Sequence, residues 1–105
     1  MSDGAALPLV VNNQETGRFE LTIDGHTAYT EYRMLASGIM FPHTETPPAL
    51  EGRGVGSALV REALAWARQQ GQPVIPVCPF VPGYITRHPE HHDLLHPDYR
   101  KALGI

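Results

Sequence analysis

The chain has 105 residues, 42% hydrophobic and 18% charged, with a formal net charge of −3. That composition predicts a single globular domain over residues 1–105 and excludes a polycation that tracks nucleic acid. No apolar run approaches the roughly 20 residues of a membrane span, the opening MSDGAALPLV lacks the pattern of a secretory signal, and the lone cysteine forms no internal disulfide, so a cytoplasmic protein with neither nucleic acid nor membrane as partner is expected.

Extended structure is predicted for Val10 to Asn12, Arg18 to Ile23, His26 to Leu35 and Ile39 to Thr46, with Asp24-Gly25 and Ser37-Gly38 as intervening turns. This is the signature of an antiparallel meander. Phe19, Leu21 and Ile23 alternate with Arg18, Glu20 and Thr22, and Ala28, Thr30 and Tyr32 alternate with Tyr29, Glu31 and Arg33. Period-two patterning of this kind buries one face.

From Val55 the period changes to that of a helix. Leu59, Ala63, Trp66 and Ala67 share one side, whereas Ser57, Arg61, Glu62, Arg68 and Gln69 lie largely on the other. Gly71 suits the left-handed cap and Pro73 stops the helix, which ends near Gln70. A short buried strand follows over Val74 to Val77, and the crossover makes it parallel to the strand before the helix. After Cys78 the sequence predicts a short helix around Val81 to Arg87, a proline- and histidine-rich loop, and a last turn near Asp98 to Leu103.

Glu51 to Cys78, EGRGVGSALVREALAWARQQGQPVIPVC, carries the chemistry. Gly52, Gly54 and Gly56 leave backbone amides unobstructed in front of a helix whose first N–H groups and positive dipole end are unpaired, so an anion site needs no lysine here. The Rossmann fingerprint is excluded because Leu59 stands where its third glycine belongs, and no Gly-Lys-Ser or Gly-Lys-Thr follows to make a P-loop. Glycines in a strand-to-helix turn also serve a tight turn with no ligand at all.

The segment Glu51 to Gly56 resembles the GNAT acetyltransferase signature of Arg or Gln, two residues, Gly, one residue, then Gly or Ala; Gly54 and Gly56 match, and Glu51 departs from the first position. The resemblance extends over HTETPPALEGRGVGSALVREALAWA and CPFVPGYITRHPE, more than half the chain, and is closest to the minimal GNAT-like proteins of roughly this length that carry a cysteine near the acetyl-coenzyme A site. It implies an α/β (α+β) fold with a mixed, mainly antiparallel sheet, a central cofactor-binding helix and short C-terminal helices. It implies acetyl-CoA or coenzyme A as cofactor, with the main-chain groups of Thr44 and Thr46 along the pantetheine arm. Arg53, Gly54, Val55, Gly56, Ser57 and Ala58 would then hold the pyrophosphate.

The resemblance also makes Cys78 a candidate nucleophile and gives Tyr84 the position of a tyrosine that protonates the departing thiolate. Equally, Cys78 is a small buried hydrophobe and Tyr84 a core-edge aromatic. His43 is the candidate general base, with Glu45 available to orient it, against a plain strand histidine. His88, His91, His92 and His96, with Glu90 and Asp93, form a solvated loop rather than a zinc site, because Pro89 and Pro97 interrupt regular helix and no second cysteine assists. No metal is expected. The implied activity is acetyl transfer to a small-molecule or protein amine, by direct attack or through Cys78, in a monomer or weak homodimer. The alternative is a non-catalytic acyl-CoA binding or sensing module; a thiol redox role lacks a resolving cysteine.

Overall fold

The predicted strands pair as a meander that divides into two sheets. In the computed structural model, which describes residues 7–105, β1 (Val11–Asn13), β2 (Arg18–Ile23), β3 (His26–Glu31) and β6 (Thr44–Glu45) form one antiparallel sheet in the order β1-β2-β3-β6. A second sheet joins β4 (Arg33–Leu35), β5 (Gly38–Phe41) and β7 (Val74–Pro76), with β5 and β7 parallel. The expected mixed, mainly antiparallel arrangement is present. Residues 1–6, on which the reading of the N-terminus partly rests, lie outside the described residues.

Each of the two long predicted strands is broken. His26 to Leu35 separates at Tyr32, whose amide still donates in register to the Gly17 carbonyl at 2.9 Å, while the pairing on the other edge shifts by one residue between β3–β6 and β4–β5. Ile39 to Thr46 separates at Pro42-His43, where proline cannot donate a ladder hydrogen bond. Phe41 enters the core, and Thr44, three residues later, bonds the core-facing Thr30, so the inside–outside alternation slips there by one residue. The two breaks lie side by side and split the sheet.

The patterning sets the core as predicted. Phe19, Leu21, Ala28, Thr30 and Tyr32 are buried, and α1 (Val55–Gln70) lies across β2 and β3 on that face through Leu59, Ala63 and Ala67, with Trp66 partly buried beside them. Trp66 meets Tyr32 at 4.7 Å and Phe19 at 5.5 Å between ring centroids, and the Tyr32 hydroxyl donates to Asn12 Oδ1 at 2.7 Å. Gly71 caps α1 in the left-handed region at φ 67°, as its position predicts.

Past Cys78, α2 (Phe80–Arg87) begins one residue earlier than expected and packs Val81, Tyr84 and Ile85 into the core. The histidine-rich segment is more ordered than a solvated loop. It forms a 3-10 turn over Pro89–Leu94 that buries Leu94 and Leu95, followed by α3 (Pro97–Leu103). Arg68 of α1 clamps this turn, donating to both Asp93 carboxylate oxygens at 2.9 and 3.0 Å and to the Glu90 carbonyl at 3.1 Å.

Thr30 is fully buried, and its hydroxyl pairs with that of Thr44 at 2.8 Å, tying β3 to the short strand beside the split. Thr30→Val leaves the Thr44 hydroxyl unpaired and should cost about 1–3 kcal/mol, whereas Thr30→Val with Thr44→Val removes both partners and recovers most of that loss. Thermal melts of the two variants check this, and a double variant no more stable than the single one contradicts it.

Candidate functional site

The turn before α1 depends on glycine at its last position. Gly54 is the N-cap of α1 with φ 75° and ψ 14°, a left-handed conformation that costs side-chain-bearing residues roughly 1–2 kcal/mol. No side chain caps this end and no acidic residue occupies the first turn. The Ala58 amide makes the first intrahelical bond, to the Gly54 carbonyl at 3.0 Å. The amides of Val55, Gly56 and Ser57 therefore have no carbonyl within the helix to bond, and they carry the positive end of the helix dipole uncompensated.

A cavity of about 230 Å³ opens at this end, lined by Thr46, Leu50, Glu51, Gly52, Gly54, Val55, Gly56, Ser57 and Phe80. Five of the eight expected cofactor residues, Thr46, Gly54, Val55, Gly56 and Ser57, thus meet around one space. The other three stand apart from its wall. Thr44 turns its hydroxyl to Thr30, Arg53 is exposed between the glycines, and Ala58 buries its side chain and commits its amide to Gly54. An Ala58 amide already bonded within the helix is a weaker donor for an anion than the three before it.

The cavity lies where the strands part. The Cys78 amide donates to the Phe41 carbonyl at 2.9 Å, continuing the β5–β7 ladder by one step, and beyond it the chains diverge. One continues as Pro42 to Thr46 alongside β3; the other turns into α2. Cys78 therefore sits at the fork, buried, with its carbonyl accepting the Val81 amide at 3.3 Å.

His43 lies in the break between β5 and β6, two residues after the Phe41 carbonyl that accepts the Cys78 amide, but its ring points elsewhere. Its Nε2 lies 3.2 Å from Glu45 Oε1, and its ring centroid is 5.9 Å from that of Tyr29, on the sheet face opposite Thr30 and α1. Both His43 and Glu45 are about half exposed, at 50% and 58% of side-chain area. An ionised carboxylate can only accept, so in this contact Nε2 is the donor. Arg18 stacks over the neighbouring Tyr29 ring at 4.3 Å and pairs with Glu20 at 2.9 Å.

Tyr84 sits one helical turn beyond Phe80, buried in the core and stacked on His88 at 4.1 Å. Burial pushes its phenol above the ordinary tyrosine range, so it stays protonated at neutral pH. Burial likewise pushes the imidazole of His91 down, toward the neutral form. Among the described residues no three His, Cys, Asp or Glu side chains gather as metal ligands.

Sequence reasoning did not single out Phe80 or Leu50 for this cavity. Leu50 follows the paired prolines in the 3-10 turn Pro48–Leu50 and is buried, a position that hydropathy alone leaves ambiguous. Phe80, two residues after Cys78, was legible only through the fork that turns the Cys78 strand into α2.

Among the described residues no helix is long and apolar enough to cross a membrane. A comparison with curated proteins gives no match. The profile of the family described as GCN5-related N-acetyl-transferase matches residues 18–94, from β2 through the histidine-bearing turn. That stretch contains both sheets' central strands, the glycine turn, α1 and the fork at Cys78, and it makes the chain a member of the GCN5-related N-acetyltransferase family.

Proposed function

We propose that the protein binds acetyl-coenzyme A with its diphosphate on the amides of Val55, Gly56 and Ser57 and transfers the acetyl group to an amine. The observation that carries this is the set of three unpaired amides, uncapped and without a first-turn carboxylate, facing a cavity that lies beside a split in the sheet. The Ser57 hydroxyl adds a further donor at the same wall. Thr46 lines the cavity on the strand side, where an extended pantetheine arm finds main-chain partners.

Held by the Val55, Gly56 and Ser57 amides, acetyl-coenzyme A would supply a thioester whose carbonyl carbon an amine could attack, with coenzyme A leaving as the thiol once its sulfur takes up a proton. His43, with Nε2–H held by Glu45, is suited to receive the proton the amine loses. The burial of Cys78 favours direct attack over a relay through its thiol. The second reading, a non-catalytic acyl-CoA binding module, is favoured by one feature, the turn of the His43 ring toward Glu45 and Tyr29 and onto the face away from α1.

Calorimetry near neutral pH should show saturable binding of coenzyme A, and the absence of binding overturns the proposal. Glu51 lines the anion cavity where the family signature has a donor. Glu51→Gln removes a negative charge from the positive helix end and should tighten binding about twofold to fivefold; unchanged or weaker binding shows that the diphosphate lies elsewhere.

Direct transfer predicts that Cys78→Ala keeps turnover within roughly tenfold of the parent, while His43→Ala loses about a hundredfold, the usual scale of general-base catalysis. Steady-state acetylation of an amine panel measures both. A stable acetyl mass gain on Cys78 in the intact protein contradicts direct attack, and cofactor binding without turnover on any amine favours the binding module.

A further inference from the structure

Phe80 opens α2 two residues after Cys78 and leaves 38% of its surface exposed. It rests on Gly56. A Cβ built on Gly56 would lie 2.8 Å from the ring's Cζ, closer than real Cβ atoms approach, and 3.3 and 3.4 Å from its two Cε atoms, so the ring would have to shift to admit a side chain. Gly56 is not among the glycines with positive φ, so the backbone there does not demand glycine. Within a helix, glycine is otherwise a poor choice. The missing side chain is explained by the ring packed against it.

Phe80 also lines the same cavity as Thr46 and the helix mouth. One wall of the cavity is thus an aromatic ring and another is extended backbone, and the unpaired amides lie between them at the end of α1. Diphosphate recognition uses the amides alone. An apolar ring adds nothing to an anion, but it does suit the branched aliphatic carbons that follow the diphosphate in coenzyme A.

We infer that Phe80 is a positioning residue: seated on Gly56, its ring confines the pantetheine arm against the Thr46 strand and directs it toward the fork at Cys78. This rests on the acetyl-coenzyme A reading above. It goes further in assigning the arm, separately from the diphosphate, to one side chain, and in assigning the second signature glycine to that side chain's packing.

The test separates arm from diphosphate by using two probes, coenzyme A and ADP, on the full chain. Phe80→Ala should weaken coenzyme A roughly tenfold, the effect of losing contact with about two aliphatic carbons, and leave ADP affinity unchanged. Phe80→Leu, which keeps an apolar side chain, should recover a good part of the loss. Equal weakening of both probes, or of neither, overturns the assignment.

A second arm needs no ligand. Gly56→Ala gains helix propensity but displaces the ring, so it should raise the melting temperature less in the parent than in the Phe80→Ala background, where only the propensity gain remains. An equal effect of Gly56→Ala in both backgrounds overturns the contact, whatever the binding results. If the parent chain binds neither probe, the acetyl-coenzyme A reading and this inference both fall, while the melting experiment still reports on the packing.

Discussion

The unpaired start of α1 is the constraint around which the rest of the site is arranged. A helix leaves its first amides without partners, and natural sequences usually satisfy one of them with Ser, Thr, Asp or Asn. Here Gly54 occupies that position in the left-handed region and supplies no side chain, and the first turn contains no acid to offset the dipole. The deficit is met by water or by an anion, and the cavity bounded by Thr46, Glu51 and Phe80 gives an anion somewhere to sit. An amide-only site is also compatible with a chain of net charge −3 that has no basic patch, because backbone N–H groups and the helix dipole need no cationic side chain to attract an anion.

The sheet is shaped to serve that helix end. Proline at position 42 interrupts the ladder, and the strand emerges out of step, so that Thr44 pairs with buried Thr30 while His43 and Glu45 face the other way. The Phe41–Cys78 hydrogen bond is the last rung before the chains separate. Beyond it, one chain supplies extended backbone and the other supplies Phe80. The register slip thus sets both the gap and the face of the sheet that His43 and Glu45 occupy, opposite α1.

Much of this was legible in the residues. The alternation of Phe19, Leu21, Ala28, Thr30 and Tyr32 fixed the buried face, because a strand has only two faces to choose between. The 3.6-residue spacing of Leu59, Ala63 and Ala67, with Gly54 and Gly71 at its ends, located α1. What the patterns missed were interruptions and tertiary contacts. The break at Tyr32 is a one-residue change of register between the β3–β6 and β4–β5 pairings, which local alternation does not announce, and the histidine-bearing turn is organised by Arg68 and by burial of Leu94 and Leu95. Around the cavity, Thr46 and Gly54 to Ser57 were among the residues that the wider family resemblance named. The Gly56–Phe80 contact was not legible, since a glycine forced by a ring from another helix is indistinguishable in sequence from one left open for a ligand.

The central claim is that the amides of Val55, Gly56 and Ser57 hold the cofactor's diphosphate. Amide chemical shifts in a nitrogen-15-labelled sample titrated with coenzyme A test it residue by residue. The account predicts that these three amides, together with those of Thr46 and Phe80, move in saturable fashion and more than the rest of the chain. Saturable shifts concentrated elsewhere, with Val55 to Ser57 unmoved, would contradict it.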